Sequence, residues 1–458
     1  MASGTNNAGR ANFGSRLGIV LATAGSAVGL GNVWRFPYMT GENGGAAFLI
    51  VYIGCVLLLG IPCMISEFII GRHAQANTAR AYTKMAGGGP WSAVGYLGVL
   101  TGFLITGYYA VVSGWCLQYI YASLLGHLKG DAAHITDYFA QFVSHPWKPI
   151  VWMIVFFAIT HAVIVCGVQK GIERASKLLM PTLFVLLLVI VVASCLLPGA
   201  GEGIKFLFMP DFSKMGSDVF LSALGQSFYS LSIGMGCICT YASYFSRRVN
   251  LMQSAVQISL VDSLVAILAG LMIFPAAFSV GVSPDSGASL VFITLPNVFQ
   301  QAFASMPAVG YVIALAFYAL LALAALTSLM SLHEVCTAFF HEELHIRRHW
   351  GALIVTLSCA VTGSLCSLSF SHAGLSLWGR SLFDLFDFVT GQIFLPISGF
   401  LTCLFLGWVV PRGVVTDEFT NKGTLRVPSV VLRGYLFSLR YVCPICIALI
   451  FLHQLGII

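Results

Sequence analysis

Runs of some twenty or more apolar residues recur along this chain almost to its last residue. A helix needs about 20 such residues to cross a bilayer. In hydrocarbon, only helices and closed barrels satisfy their own backbone polar groups. Eleven segments qualify, at about 17–39, 46–71, 92–124, 150–167, 174–197, 219–245, 255–282, 306–340, 350–370, 382–409 and 434–456; they are numbered 1 to 11 below. The pattern predicts an all-α membrane protein with eleven transmembrane helices. Segments 3 and 8 are long enough to tilt strongly or to project beyond the membrane. Charged residues make up 9% of the 458 residues and apolar ones 58%, against about 25% charged in a soluble domain. Such a chain could not keep a large surface wetted. Soluble enzymes, nucleic-acid binders, disordered scaffolds and secreted disulfide modules are excluded.

The net charge of +6 says less than the placement of the basic residues. With a cytoplasmic N-terminus, sixteen of the twenty-three Lys and Arg fall on inner segments, as the positive-inside rule requires. An odd number of spans then puts Ile458 outside. The first fifteen residues are polar and glycine-rich, with no basic stretch ahead of a short apolar one, so no cleavable signal peptide is read. Thirteen cysteines are scattered through apolar runs, which suits small buried hydrophobes better than disulfides.

Two segments carry closely spaced glycines: Gly25, Gly29 and Gly31 in segment 1, Gly234 and Gly236 in segment 6. Glycine weakens a helix, frees carbonyls and lets other groups approach the backbone. Either cluster alone would suit close helix packing through small residues. Five segments apart, they fit a five-plus-five inverted repeat, in which paired interrupted helices mark a transporter's midplane site. One transporter domain then fills 1–458, with repeat one at about 10–197, repeat two at about 219–409 and an extra span at about 434–456.

The run RLGIVLATAGSAVGLGNVWRFPY at 16–38 closely resembles the first helix of the neurotransmitter:sodium symporter family. Glu42 to Gly45, Gly60 to Pro62 and Gly71–Arg72 are similar to its second helix. The run GQSFYSLSIGMG at 225–236, followed by Tyr241 and Tyr244, resembles its sixth. The resemblance covers nearly the whole chain through segment 10. No twelfth span follows, as in some bacterial members, and no Asn-x-Ser/Thr acceptor occurs. It implies the leucine-transporter fold and a sodium-coupled amino-acid symporter, not an enzyme, in a prokaryotic plasma membrane.

The resemblance also implies site residues. One sodium ion would meet Ala27, Asn32, Ser230 and Asp262, with the substrate carboxylate closing the shell. A second would meet the carbonyls of Gly25, Val28 and Ala324 and the hydroxyls of Thr327 and Ser328. The residues matching the anion site of chloride-dependent relatives are Tyr52, Gln226 and Ser230, beside Asp262. A carboxylate within a span is costly and functional by default. The charge of Asp262 would replace the anion, so no chloride is expected, and Asp262 is a candidate to take up a proton on the return step. Monoamine-carrying relatives have aspartate at position 29; Gly29 leaves room for a substrate carboxylate, facing Tyr109 and the helix start at Leu30 and Gly31. The pocket would be lined by Ser26, Ala27, Ile105, Tyr109, Tyr229, Ser230, Ser232, Met235, Ser328 and Leu332. A flexible Met235, where the leucine-selective relative has phenylalanine, suggests neutral hydrophobic or aromatic α-amino acids.

Alternating access needs two gates. The resemblance implies an outer one of Arg35 and Asp387 over Tyr109 and Tyr229, with Phe383 in the vestibule. The inner one would use Arg10, Phe13, Tyr244, Glu334 and Glu342. Gly171 and Pro181 match a pattern linked in the family to local unwinding of segment 5, though an ordinary helix start with a tolerated proline reads as well.

Three features point elsewhere. His341, Glu342, Glu343, Leu344 and His345 fit H-E-x-x-H, so an intramembrane zinc protease is a rival; the pentad runs into Arg347 and Arg348 at the cytoplasmic surface, and no third ligand is apparent. Cys443 and Cys446 are spaced like a redox pair but sit in an apolar span, which favours core packing. Interrupted helices could also line an ion-conducting channel.

Overall fold

The computed structural model describes residues 13–281, 291–371, 374–454 and 457. Among these, nine helices are long and apolar enough to cross a membrane. They are Ala46–Ala74, Ser92–Leu125, Lys148–Val165, Val168–Cys195, Leu251–Ser279, Pro307–Glu343, Arg348–Leu368, Leu382–Val409 and Ser429–His453, which correspond to segments 2 to 5 and 7 to 11. A tenth candidate is segment 1, a pair of helices, Leu17–Ala27 and Gly31–Glu42, bent by 49°. Segment 6 is two shorter helices, Ser217–Ser230 and Cys237–Ala242.

Four helices contain a wide π turn that ends two residues before a proline. Gly31–Arg35 precedes Pro37, Val56–Gly60 precedes Pro62, Val389–Phe394 precedes Pro396 and Ser438–Val442 precedes Pro444. Proline has no N–H to donate and its ring crowds the carbonyl one turn back; one extra residue in that turn relieves both. Segment 5 starts the same way at Val168–Glu173 and continues unbroken through Pro181 to Cys195. Gly171 thus lies within a wide turn, and the helix around Pro181 is wound.

Segments 3 and 8, of 34 and 37 residues, pack against each other. Segment 1 lies against segments 5, 7 and 8, and the first half of segment 6 against segment 2. Both helix interruptions therefore face the middle of the bundle. Short helices Thr78–Ala86, Ala132–Ser144, Ala200–Phe208, Thr294–Ala302 and Arg412–Phe419 occupy the connections.

Candidate functional site

The site is built on the two interruptions. Segment 1 stops being helical at Val28, which is extended, and resumes at Gly31. In segment 6, Ser232, Gly234 and Gly236 have φ of +55°, +86° and +78°, in the left-handed region where glycine is at ease. Ser232 lacks that freedom. Its hydroxyl donates to the Ser26 carbonyl at 2.9 Å, tying one interruption to the other. Amides freed by the second break find Glu67 of segment 2, which accepts from Gly234 N at 2.6 Å and Cys239 N at 3.2 Å. Thr78 donates to the Gly236 carbonyl at 2.9 Å.

Beside the breaks lies the fully buried Asp262. Its carboxylate accepts from Asn32 Nδ2 at 2.8 Å, from Tyr52 Oη at 3.1 Å and from Ser230 Oγ at 2.9 and 3.0 Å. Asn32 Oδ1 accepts from Gly29 N at 3.1 Å. Gln226 donates to the Gly31 carbonyl at 3.0 Å and accepts from Arg35 at 3.1 Å. Asn32, Tyr52, Ser230 and Asp262 thus form one continuous polar cluster, and Gln226 adjoins the same break through the Gly31 carbonyl.

A second group of oxygens sits on the other side of that break. Thr327 Oγ1 donates to the Ala324 carbonyl at 3.0 Å and reaches the Val28 carbonyl at 3.4 Å; Ser328 Oγ lies 3.5 Å from that same carbonyl. A Cβ on Gly25 would stand 3.3 Å from Thr327 Cβ, so Gly25 lies against the same side chain. Carbonyls and hydroxyls of this kind suit a hard cation.

Between the two groups is a cavity of about 30 Å³ lined by Ser26, Ala27, Gly29, Gly31, Ile105, Tyr109, Tyr229, Ser232, Met235, Ser328 and Leu332. Leu30 and Ser230 are set back from it: Leu30 N donates to Tyr109 Oη at 3.0 Å, and Ser230 faces Asp262. A Cβ at Gly29 would stand 2.3 Å from Ser328 Oγ and 2.9 Å from Tyr109 Oη. Only glycine fits there without displacing both groups.

Tyr109 and Tyr229 also line a second cavity, of about 130 Å³, with Arg35, Phe383 and Asp387. Arg35 lies over the Tyr229 ring, 4.7 Å from its centroid. Asp387 accepts from Tyr108 Oη at 3.2 Å. Arg35 and Asp387 face the same space, but among the described residues no ion pair closes it. Arg10 lies outside the described residues. At the other end of the bundle, Tyr244 and Glu334 are hydrogen-bonded at 2.7 Å, and Arg348 pairs with Glu334 at 2.5 Å. The Phe13 ring packs edge-on against Tyr241 and Tyr244. Glu342 stands apart from Glu334 and accepts from Asn77 N at 2.7 Å.

The histidine pentad does not form a helical metal site. The helix ends at Glu343, His345 has φ +55°, and His341 Nδ1 is 2.8 Å from the Ile346 carbonyl. With the helix ended between them, the two rings no longer share the face that chelation needs.

Three residues at the site escaped the reading of the sequence. Glu67 could have been found, since the rule that singles out Asp262 applies equally to a glutamate in segment 2. Arg348 reads in the sequence as a cytoplasmic-surface charge, one of two adjacent arginines. Glu173, which accepts from Gly14 N at 2.6 Å and Ser15 Oγ at 2.8 Å and pairs with Lys177, carries no motif.

The chain matches the model of the Sodium:neurotransmitter symporter family over residues 10–138 and 131–457. It is 36% identical to the uncharacterized sodium-dependent transporter YhdH of Bacillus subtilis, across 97% of this chain and 98% of that one. An uncharacterized sodium-dependent transporter of Haemophilus influenzae is 34% identical, across 98% and 99%. The crystal structure of MhsT in complex with L-phenylalanine superposes with a TM-score of 0.89 at 41% identity, across 97% of this chain and all of that one.

Proposed function

The chain belongs to the sodium:neurotransmitter symporter family, and on that premise we propose that it carries neutral hydrophobic or aromatic α-amino acids into the cell together with sodium, by alternating access. The observation that carries this reading is the cavity between the two helix breaks, with Gly29 at its wall. An aspartate at 29, the surrogate carboxylate of amine carriers, has no room beside Ser328 and Tyr109. The carboxylate is left for the substrate to supply from the cavity that Gly29 lines. Apolar walls of Ile105, Met235 and Leu332 favour a hydrophobic side chain, and the similar MhsT has been solved in complex with L-phenylalanine.

In this reading the architecture is eleven spans, segments 1–5 and 6–10 forming inverted repeats, with the N-terminus inside and the C-terminus outside. The first sodium ion sits among Ala27, Asn32, Ser230 and Asp262 and touches the substrate carboxylate. The second sits among Gly25, Val28, Ala324, Thr327 and Ser328. Asp262 supplies the negative charge that chloride supplies elsewhere; its three neutral donors, Asn32, Tyr52 and Ser230, hold it ready for a cation. Tyr109 and Tyr229 close over the substrate, Arg35 and Asp387 draw together above them, and the Glu334–Arg348–Tyr244 group seals the inner end.

Reconstitution into proteoliposomes tests this. Radiolabelled phenylalanine or leucine should accumulate against a gradient only with external sodium, equally with chloride or gluconate. Saturation by substrate separates this from a channel, which would pass current without an amino acid. Uptake indifferent to sodium, or competed only by glycine and alanine, would sink the proposal.

A further inference from the structure

Segment 11 divides its cysteine pair: Cys443 is buried and Cys446 only partly so. Cys443 instead meets Cys63 of segment 2 and Cys403 of segment 10. The three sulfurs lie within 4.8 Å of one another, with Cys63 Sγ and Cys403 Sγ 3.5 Å apart. Among the described residues, no other three His, Cys, Asp or Glu side chains bring donor atoms so close. A buried cysteine usually serves as a small hydrophobe, and the other cysteines of this chain do so singly or in pairs. Three thiols converging from three different membrane helices are a ligand set.

We propose that Cys63, Cys403 and Cys443 form a binding site for a soft monovalent cation of the copper(I) class. Sulfur-only ligation selects soft ions over sodium, magnesium or calcium. Charge selects further. The ion enters as one thiol proton leaves to water; one sulfur becomes a thiolate bonded to the metal, and the other two donate lone pairs as thiols. The dry site stays neutral, which an apolar span requires. Zinc(II) would displace a second proton and ask for a fourth ligand, and no histidine or carboxylate belongs to the group. Cys63 stands one turn before Glu67 on the same helix, and Glu67 holds the interrupted backbone of segment 6. An ion bound at Cys63 therefore fastens that helix to segments 10 and 11 and slows transport.

The test uses the full-length protein purified anaerobically in lipid nanodiscs. Copper(I) is supplied as its bathocuproine disulfonate complex, which competes away binding to single thiols. The wild type should take up one copper(I) per chain and release one proton, with a sulfur-only shell by X-ray absorption. Losing one of three ligands should cost more than the roughly 10- to 100-fold typical of outer-shell changes, so C63A, C403A and C443A should each lose binding by at least that factor. C55A and C446A should bind as wild type does. Thermal unfolding without metal shows which variants fold, and any one folded member of the trio suffices for the assignment. Wild-type binding by a folded C443A or C403A, or an equal loss in C446A, overturns the site. Uptake unchanged by one equivalent of copper(I) overturns the fastening.

Discussion

Five buried carboxylates among the described residues divide between two regions of the molecule. At the end of the bundle proposed above as inner, Glu334 is paired with Arg348 at 2.5 Å, Glu418 with Arg72 at 2.7 Å and Glu173 with Lys177 at 2.7 Å. In the middle of the bundle, Glu67 and Asp262 have no Lys, Arg or His at ion-pair distance among the described residues; their partners are neutral donors. A buried charge pair cannot lose one member without stranding the other, so the inner end is built to hold. The midplane acids are free of that bond. They differ from each other as well: Glu67 is held by two backbone amides, which cannot turn away, whereas Asp262 is held by an amide side chain, a phenol and a hydroxyl, which can. Glu67 braces the helix break, and Asp262 is the acid that the proposed function opens to a cation.

The largest effect should come from breaking the inner end. Glu334→Ala leaves the guanidinium of Arg348, only 23% exposed, with the Ile164 carbonyl among its remaining partners. The expected loss is about 3–5 kcal/mol, read as a fall in unfolding temperature of the purified protein. A loss below about 1 kcal/mol would place Glu334 with the surface pairs and erase the contrast. Glu67→Ala should cost a comparable amount, since it orphans two amides at about 1–3 kcal/mol each. Glu67→Gln keeps one acceptor oxygen and should recover roughly half of that. Full loss of sodium-driven uptake in a stably folded E67Q would instead give Glu67 the ion-contact role proposed for Asp262.

Which parts of this contrast the sequence reveals follows from what each part depends on. The helix breaks are legible because their cause is local: glycine is needed where φ turns positive at 234 and 236, and where a side chain at 29 would collide with Ser328 and Tyr109. Asp262 is legible because a carboxylate inside an apolar run stands out by itself. The pairing of Glu334 with Arg348 is not, because it depends on how two neighbouring helices pack. Arg348 reads as a surface charge until its helix turns it back toward Glu334. The glycines of segment 6 mark where it breaks but not how far: all six residues 231–236 are non-helical. The cysteine trio is invisible for the same reason as the Glu334 pair: only the packing of segments 2, 10 and 11 gathers it. The spacing of Cys443 and Cys446 even draws the eye to the wrong partner.

A change at Asp262 sharpens the difference between the two midplane acids. Asp262→Asn keeps the shape of the side chain and the donors around it, but removes the negative charge. The fold should survive with little change in unfolding temperature, unlike Glu67→Ala. Uptake should become chloride-dependent, the anion taking its place among Tyr52, Gln226 and Ser230. Coupling between bound ions and substrate is typically about 1–3 kcal/mol. Replacing chloride with gluconate should therefore weaken substrate affinity in D262N about 5- to 150-fold, and leave the wild type unaffected. Equal affinity in both salts for D262N would end the idea that Asp262 stands in for the anion.

The smallest effect is a pH dependence, carried by Glu418, which sits outside the membrane segments. Burial alone would raise its carboxyl, but hydrogen bonds and charge from His73 and Arg72 outweigh that and hold it below the usual carboxylate range. A carboxyl depressed in the folded state binds its proton more readily once unfolded. Its stabilising contribution is therefore complete above the unfolded value of about 4.3 and drains away as pH falls through the lower folded value. Wild-type protein should lose stability on that acid limb, by an amount of about 1 kcal/mol per unit of depression. Glu418→Gln should start less stable at neutral pH and lose this part of the slope, because nothing at 418 is left to titrate. Unfolding temperatures from pH 7 down to the acid limit check it. Parallel curves for the two proteins would show that Glu418 is held no more tightly than an exposed acid, and would remove it from the paired group.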